Sequence, residues 1–182
     1  MNFIKTAIEG VYIIEPRIFT DARGYFFESY SRAAFEAAGL HYDFVQDNQS
    51  KSCCGTVRGL HFQKGEHAQA KLVRVLEGTV LDVAVDIRRA SPTYGRHVAV
   101  ELSEKNRLMM LIPRGFAHGF SVLSETAVFA YKCDNLYCRE SEGGIRFDDP
   151  TLAIDWRIDM SRALTSDKDR LHPYFAEFET CF

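Results

Sequence analysis

The sequence of 182 residues lacks three features that mark common classes of protein. No apolar run approaches the ~18 residues of a membrane-spanning helix, and residues 1–10 do not show the basic and then apolar pattern of a signal peptide. Basic residues are not in surplus, since 22 Lys and Arg stand against 25 Asp and Glu and leave a net charge of −3. We therefore expect no membrane insertion and no binding of nucleic acid. Any anionic ligand has to be small and held by a local cluster of cations.

The five cysteines lack any pairing pattern. Their number is odd, Cys53 and Cys54 are adjacent, and no C-x-x-C occurs, so neither a zinc knuckle nor a redox-active pair is indicated. Reduced thiols are typical of proteins in a reducing compartment. The sequence therefore predicts a cytoplasmic protein with free cysteines.

What the sequence does contain is a series of short apolar or alternating runs separated by turn residues. A period of two is typical of a β-strand, and in residues 79–87 Leu81 and Val83 would face one way while Asp82 faces the other. The remaining runs cover residues 11–14, 26–30, 72–76, 97–102, 108–112 and 127–133. Many short strands with turns between them predict an all-β sandwich or barrel.

One stretch, residues 32–38, has the pattern of a helix, with Ser31 as a capping residue in front and Gly39 behind. The chain shows no internal repeat, linker or low-complexity segment, and its length suits a single core. We therefore predict one domain over residues 1–182, with an N-terminal arm and a less regular C-terminal tail.

Positive charge is concentrated in residues 51–75, which hold five Lys and Arg and one acid. The same window contains R-G-L-H-F-Q at residues 58–63. On a regular strand, His61 and Gln63 would point to one face and Arg58 to the other. Each of these residues alone fits a solvated basic face or a structural histidine. Their combination within one short window favours a binding or catalytic site.

A second cluster, P-R-G-F-A-H-G-F at residues 113–120, places a histidine directly after a Pro-Gly turn. Together the two clusters resemble the cupin motifs G-x5-H-x-H-x3-4-E-x6-G and P-x-G-x2-H-x3-N, which implies a jelly-roll fold. His61 and His118 stand at histidine positions, but Gln63 and Lys71 stand where metal ligands belong. Because an ammonium group cannot ligate a cation, we expect no metal here.

The resemblance extends to one cupin family, the dTDP-4-dehydrorhamnose 3,5-epimerases, which are metal-free enzymes of deoxysugar-nucleotide synthesis. The matching segments lie at residues 19–28, 45–50, 58–63, 71–75, 78–88, 91–95, 112–120 and 166–169. This ordered series implies a cupin-type double-stranded β-helix with short peripheral helices and no cofactor. It also implies a homodimer in which the N-terminal arm reaches the partner's site.

The activity that the resemblance implies is epimerisation at C3 and C5 of dTDP-4-dehydro-6-deoxy-D-glucose, giving dTDP-4-dehydro-L-rhamnose through an enolate. Histidine titrates near neutral pH, so His61 suits the base, and the resemblance places Asp169 as its partner. Lys71 would stabilise the enolate oxygen. The resemblance implies Tyr131 as the acid on the other face of the sugar. Taken alone, each residue also fits a structural role.

A further set of residues is implied to hold the nucleotide sugar. The set consists of Arg23, Glu28, Gln46, Asp47, Asn48, Arg58, His118, Tyr137, Glu142 and Lys168. Guanidinium groups suit a pyrophosphate because they donate paired hydrogen bonds, which is the role implied for Arg23 and Arg58. Since Arg23 and Glu28 belong to the arm, the resemblance implies that they serve the partner's site.

Three alternatives stay open at the level of sequence. The first is an epimerase that acts at one carbon only, or on a 4-keto sugar linked to another nucleotide. The second is a non-catalytic cupin that binds sugar nucleotides, and the third is a metal-dependent cupin oxygenase or isomerase. The filled base and acid positions favour the 3,5-epimerase over the first two, and Lys71 at a ligand position argues against the third.

Overall fold

The structure is a computed structural model that describes residues 1–182. The strands are β1 (Asn2–Lys5), β2 (Tyr12–Glu15), β3 (Phe19–Asp21), β4 (Gly24–Phe26), β5 (Gln46–Cys53), β6 (Val57–Gln63), β7 (Lys71–Glu77), β8 (Thr79–Asp86), β9 (His97–Ser103), β10 (Met109–Ile112), β11 (Phe116–Val122), β12 (Thr126–Cys133) and β13 (Glu142–Gly144). The α-helices are α1 (Arg32–Ala37) and α2 (Asp167–Arg170), and single 3₁₀ turns cover Gly65–His67, Arg139–Ser141, Met160–Arg162 and Phe175–Glu177. None of these helices has the length and apolar character needed to cross a membrane.

Two antiparallel sheets form the body of the molecule. One has six strands in the order β1-β2-β10-β7-β12-β5, and the other has five in the order β13-β6-β11-β8-β9. Apolar side chains from both sheets, such as Val73 and Phe129 from the first and Phe120 from the second, share one buried cluster. Stacked sheets with a common apolar interior are the arrangement of a β-sandwich. The predicted all-β class is therefore confirmed.

Strand β8 confirms the predicted period of two. Leu81 and Val83 pack in a cluster on the outer face of the five-stranded sheet. There the C-terminal segment, residues 145–182 after β13, covers them with Trp156. The alternate face of β8 points into the molecule, because Ala84 belongs to the cluster between the sheets. Asp82 lies on that inner face and is fully buried. An acid in such a position requires a partner.

The predicted helix is confirmed with its cap. The Ser31 Oγ accepts a hydrogen bond from the Ala34 N–H at 3.4 Å, and the helix α1 ends before Gly39, whose φ is +76°. The predicted strand at residues 26–30 is wrong beyond Phe26. The chain turns at Gly24 with a φ of +127° and forms the short hairpin β3-β4, after which residues 27–30 lead to the helix cap without strand pairing.

Candidate active site

A cavity of about 720 Å³ is lined by strands of both sheets and, on one side, by residues of the C-terminal segment. Nine of the predicted site residues line it: Asn48, Arg58, His61, Lys71, His118, Tyr131, Glu142, Lys168 and Asp169. They come from both sheets and from α2. The fold therefore brings together residues as far apart in the chain as Asn48 and Asp169, which are separated by 121 positions.

The centre of the cavity wall is a histidine–carboxylate pair. The His61 Nε2 lies 2.7 Å from the Asp169 Oδ1, and the Gly59 N–H donates to the Asp169 Oδ2 at 3.4 Å. Burial acts to raise the pKa of Asp169, but the hydrogen bonds from His61, Ser166 and Gly59 outweigh it and hold that pKa below its usual value. The carboxylate therefore stays ionised and fixes the orientation of the imidazole.

Arg58 and His61 both line the cavity, so the prediction that they face opposite ways is wrong. His118 of β11 pairs with His61, and Phe120 pairs with Arg58, so two steps on β11 match three on β6. This bulge adds one residue to β6 and reverses the alternation. The Arg58 Nε consequently reaches across to the other sheet and donates to the Ser52 Oγ at 3.0 Å.

Lys71 and Tyr131 enter the cavity from the six-stranded sheet. Lys71 is opposite Cys133 on β12, two residues from Tyr131, so the two side chains are diagonal neighbours on one face. The Lys71 Nζ lies 5.8 Å from the centroid of the Tyr131 ring. Burial lowers the pKa of Lys71, and burial raises the pKa of Tyr131, so the phenol keeps its proton at neutral pH.

His118 lies beside His61 on the neighbouring strand and forms a second buried pair. Its Nε2 is 2.8 Å from the Asp82 Oδ1, while the Asp82 Oδ2 is buried without a partner. Burial lowers the pKa of His118, and the charge of Asp82 opposes this only in part. Sequence reasoning named His118 but missed Asp82. The signal for it was an acid on the face of β8 that turned out to point inward.

Glu142 connects β13 to the C-terminal segment at the rim of the cavity. It accepts a hydrogen bond from the Tyr137 hydroxyl at 2.7 Å and pairs with the Lys168 Nζ at 2.5 Å. Burial acts to raise the pKa of Glu142, but Lys168 and Tyr137 outweigh it and lower that pKa. These contacts hold α2, and with it Asp169, against the five-stranded sheet.

Five predicted site residues do not line this cavity: Arg23, Glu28, Gln46, Asp47 and Tyr137. Arg23 and Glu28 are exposed on the arm, where Arg23 pairs with Asp21. Gln46 and Tyr137 lie next to the cavity, since the Gln46 Nε2 donates to the Asn48 Oδ1 at 2.9 Å and its Oε1 accepts from the Tyr137 N–H. Asp47 points outward and pairs with Lys132 at 2.9 Å.

The positions that hold a metal in other cupins carry different chemistry here. The Gln63 Oε1 is occupied by a hydrogen bond from the Cys138 N–H at 2.9 Å, and Lys71 contributes an ammonium group. The donor atoms that lie close enough to share an ion are those of His61, Asp169 and His172, all within 4.8 Å of one another. The pKa of His172 is lowered by its burial.

Comparison with known proteins places this geometry in a family. Residues 5–177 match the family model described as dTDP-4-dehydrorhamnose 3,5-epimerase. A protein of that name from Salmonella typhimurium is 52% identical over 174 residues, which cover 95% of this chain and 94% of the relative.

Solved structures agree with the sequence relatives. The dTDP-4-dehydrorhamnose 3,5-epimerase of Elizabethkingia anophelis has a TM-score of 0.92 and 55% identity, covering 97% of each chain. The dTDP-6-deoxy-D-glucose-3,5-epimerase of Legionella pneumophila, solved with dTDP-4-keto-L-rhamnose, has a TM-score of 0.93 and 48% identity, covering 98% of this chain and 94% of that one. The predicted cupin-type β-fold is confirmed. The chain is an epimerase and belongs to the dTDP-4-dehydrorhamnose 3,5-epimerase family.

Proposed function

We propose that the enzyme converts dTDP-4-dehydro-6-deoxy-D-glucose to dTDP-4-dehydro-L-rhamnose, the epimerisation that dTDP-rhamnose biosynthesis requires. The observation that supports the proposal is that the reactive groups lie on opposite sides of the cavity. His61 comes from the five-stranded sheet, whereas Lys71 and Tyr131 come from the six-stranded sheet on the other side of the cavity. A base and an acid on different walls suit a reaction that removes a proton from one face of a sugar and returns one to the other.

The steps follow from these positions. The C4 ketone acidifies the C–H bonds at C3 and C5, and His61 takes one of these protons through its Nδ1, because its Nε2 is bonded to Asp169. The bonding electrons move to the C4 oxygen, where Lys71 stabilises the enolate. The Tyr131 hydroxyl then protonates the opposite face of the same carbon, and proton exchange with solvent restores His61 and Tyr131 before the second carbon reacts.

Nucleotide binding is assigned to the polar groups around the same cavity. Arg58 lies on its wall and carries the positive charge that a pyrophosphate needs, and Lys168 lies on the same wall beside the phosphates with its charge paired to Glu142. The Arg58 guanidinium is oriented by its bond to Ser52, so its terminal N–H groups stay available. We assign Gln46 and Asn48 to hydrogen bonding with the ligand, His118 to the sugar, and Tyr137 and Glu142 to the nucleotide. Asp47, which points outward to Lys132, is not assigned to the ligand.

The arm is assigned to a partner subunit in a homodimer. Its hairpin exposes large apolar side chains, with Phe19, Tyr25 and Phe26 between 49% and 66% exposed. Surfaces of this kind favour contact with another protein, and Arg23 and Glu28 lie on the same segment. Mixing Arg23→Ala with His61→Ala enzyme tests the assignment. Neither variant should turn over well alone, but mixed dimers should regain activity, and a mixture without recovery would contradict shared sites.

Three broader assignments accompany the reaction. We infer one domain over residues 1–182, because the five-stranded sheet packs on the six-stranded sheet through one apolar cluster and on the C-terminal segment through another. We infer a cytoplasmic enzyme, because all five cysteines are free. We also infer that the reaction uses no cofactor, so enzyme treated with EDTA should keep its full rate. A rate that falls on chelation and returns with an added metal would support the metal-dependent cupin instead.

Product analysis in D2O tests the reaction itself. The enzyme is incubated with the 4-keto-6-deoxyglucose linked to dTDP, to GDP and to CDP, and the sugars are examined by NMR. We expect two deuterons per sugar, at C3 and C5, with the dTDP substrate turned over fastest. Deuterium at one carbon would favour the single-carbon epimerase. No deuterium with any substrate, together with tight binding of the free nucleotide, would favour a non-catalytic binding protein.

A further inference from the structure

A third histidine, His172, lies next to the His61–Asp169 pair. Gly144 of β13 is the cross-strand partner of His61, so a side chain at Gly144 would point to the same side as the imidazole. The His172 ring fills that place, since a Cβ added at Gly144 would lie 2.3 Å from the His172 Nε2. The centroids of the His61 and His172 rings are 5.9 Å apart, with the rings inclined by 70°. The absent side chain of Gly144 thus admits the ring to this position.

The hydrogen bonding of His172 differs from that of the two histidines that line the cavity, His61 and His118. The Nε2 atoms of His61 and His118 each contact a carboxylate. The Nε2 of His172 is buried and has no hydrogen-bond partner. Buried polar atoms are nearly always paired, and one that is not requires an explanation. Here the unpaired atom belongs to a side chain whose neighbours are a second imidazole and an ionised carboxylate.

We propose that His61, Asp169 and His172 form an inhibitory site for Zn²⁺ or a similar transition-metal ion. Their donor atoms lie within 4.8 Å of one another. Tetrahedral Zn–N bonds of about 2.1 Å place two ligand atoms about 3.4 Å apart, so a closure of at most about 1.4 Å completes the site. Two imidazoles and one carboxylate are a ligand set that zinc uses with a fourth, open position. The His61 side chain is 31% exposed, so that position faces the cavity.

The ion would act by removing the base. This part of the inference rests on the proposed function of His61. A neutral imidazole carries one N–H, so an ion bound at the Nε2 of His61 leaves the proton on Nδ1, the nitrogen that has to accept a proton from the sugar. The ion also takes Asp169 away from the imidazole. The nearby Lys168 does not oppose binding strongly, because Glu142 neutralises it.

The site also differs from the metal position of other cupins. That position would use Gln63 and Lys71, which cannot serve, together with His61 and His118. The proposed site instead takes two of its three ligands from the C-terminal segment, which follows the last strand β13. An ion here would therefore tie the segment that carries α2 to β6.

Cobalt binding tests the site without reference to activity. EDTA-treated protein is titrated with Co²⁺, whose visible absorption reports bound nitrogen ligands, and Zn²⁺ is then added to displace it. We expect one equivalent to bind to the wild type and to His41→Ala, a control at an exposed histidine. His172→Phe, which keeps a ring against Gly144, should show no such bands, and Asp169→Asn, which removes a different ligand, should lose them as well. Absence of bands in the wild type, or equal bands in His172→Phe, would overturn the proposal.

Zinc inhibition tests the consequence. At a free Zn²⁺ concentration about ten times the measured Kd, simple occupancy leaves about a tenth of the wild-type rate. Each variant is compared with its own rate in EDTA, and His172→Phe should lose less than about half of its rate at that concentration. Equal fractional inhibition of wild type and His172→Phe would place the ion elsewhere. A protein that binds Co²⁺ through His172 but shows no epimerisation in EDTA would contradict the proposed reaction and leave the metal site standing.

Discussion

Replacing Asp169 with Asn should stop the reaction by fixing the wrong tautomer of His61. In the wild type, the Asp169 Oδ1 faces the His61 Nε2 at 2.7 Å and the Oδ2 accepts from the Gly59 N–H. An amide has one oxygen and one NH₂ group, and the Gly59 N–H requires the oxygen. The NH₂ group then faces the His61 Nε2, which becomes the acceptor, and the ring proton moves to Nδ1. The nitrogen that should accept the substrate proton is then occupied.

The size of the effect follows from the role of a positioned base. General base catalysis contributes about 100- to 10,000-fold to a rate, which corresponds to about 3–5 kcal/mol at 1.36 kcal/mol for each factor of ten. The lost imidazolium–carboxylate attraction acts in the same direction, since Asp169 is buried and its pKa is held below the usual value. We therefore expect Asp169→Asn to lower the rate of deuterium incorporation at C3 and C5 by at least about 100-fold.

The measurement is the rate of exchange into dTDP-4-dehydro-6-deoxy-D-glucose in D2O, followed by NMR, together with the Kd for free dTDP. Asp167→Asn is the matched control, because Asp167 lies on the same short helix α2 but is exposed. We expect the control to keep its rate and both variants to keep their nucleotide affinity. An Asp169→Asn enzyme whose exchange rate stays within about threefold of wild type would refute the tautomer argument.

Three other predictions concern the acid, a buried carboxylate and a close backbone contact. Tyr131→Phe should lower formation of the inverted product by about 100-fold while His61 still exchanges substrate hydrogen with D2O, and loss of both in parallel would contradict the division of roles. Burial acts to raise the pKa of Asp86, but hydrogen bonds from Arg88, Ser91 and Thr93 outweigh it and bring the pKa to about 2. That folded value is below the unfolded value of 3.8, so ionised Asp86 contributes about 2 kcal/mol to the free energy of unfolding above pH ~4, and this contribution is lost as pH falls toward ~2. Urea unfolding at a series of pH values should show the loss in wild type but not in Asp86→Asn. Gly59→Ala should destabilise the fold by more than Gly39→Ala, because a Cβ at Gly59 would lie 2.5 Å from the Gly119 Cα whereas Gly39, also at positive φ, faces open space. Equal decreases in the free energy of unfolding, measured in urea, would show that backbone strain alone is responsible.

Strands with alternating apolar residues were predictable from sequence, and polar strands were not. The strands β7, β8, β9, β10 and β12 lie at the predicted positions because one or both of their faces are buried in apolar clusters. Strand β5 consists of Q-D-N-Q-S-K-S-C and carries no apolar period. Its register is set by pairing with β12 along its whole length, from Gln46 opposite Cys133 to Cys53 opposite Thr126. Such long-range pairing leaves no local signal.

The site residues also fall into two groups, those that the sequence predicted and those that it did not. His61 and His118 were identified as candidate site residues from the local sequence, because each lies within a short motif. The partners of these histidines, Asp169 and Asp82, are 108 and 36 residues away in the chain, and no spacing rule connects them. Asp169 was accessible only through the family resemblance. The bulge that turns Arg58 toward the cavity depends on the pairing of β6 with β11 and could not be read from β6 alone.

The charge balance of the cavity explains how a chain with a net charge of −3 can attract an anion. Two acids, Asp169 and Glu142, line the cavity, and a third, Asp82, is buried next to His118. Each already has a basic partner: Asp169 has His61, Asp82 has His118, and Glu142 has Lys168. Arg58 and Lys71 form no salt bridge with a carboxylate, so their positive potential is directed at the ligand. Burial lowers the pKa of Lys71, and a bound pyrophosphate or a developing enolate would oppose that effect by favouring the ammonium form. The ligand thus stabilises the charge that Lys71 has to supply when the enolate forms.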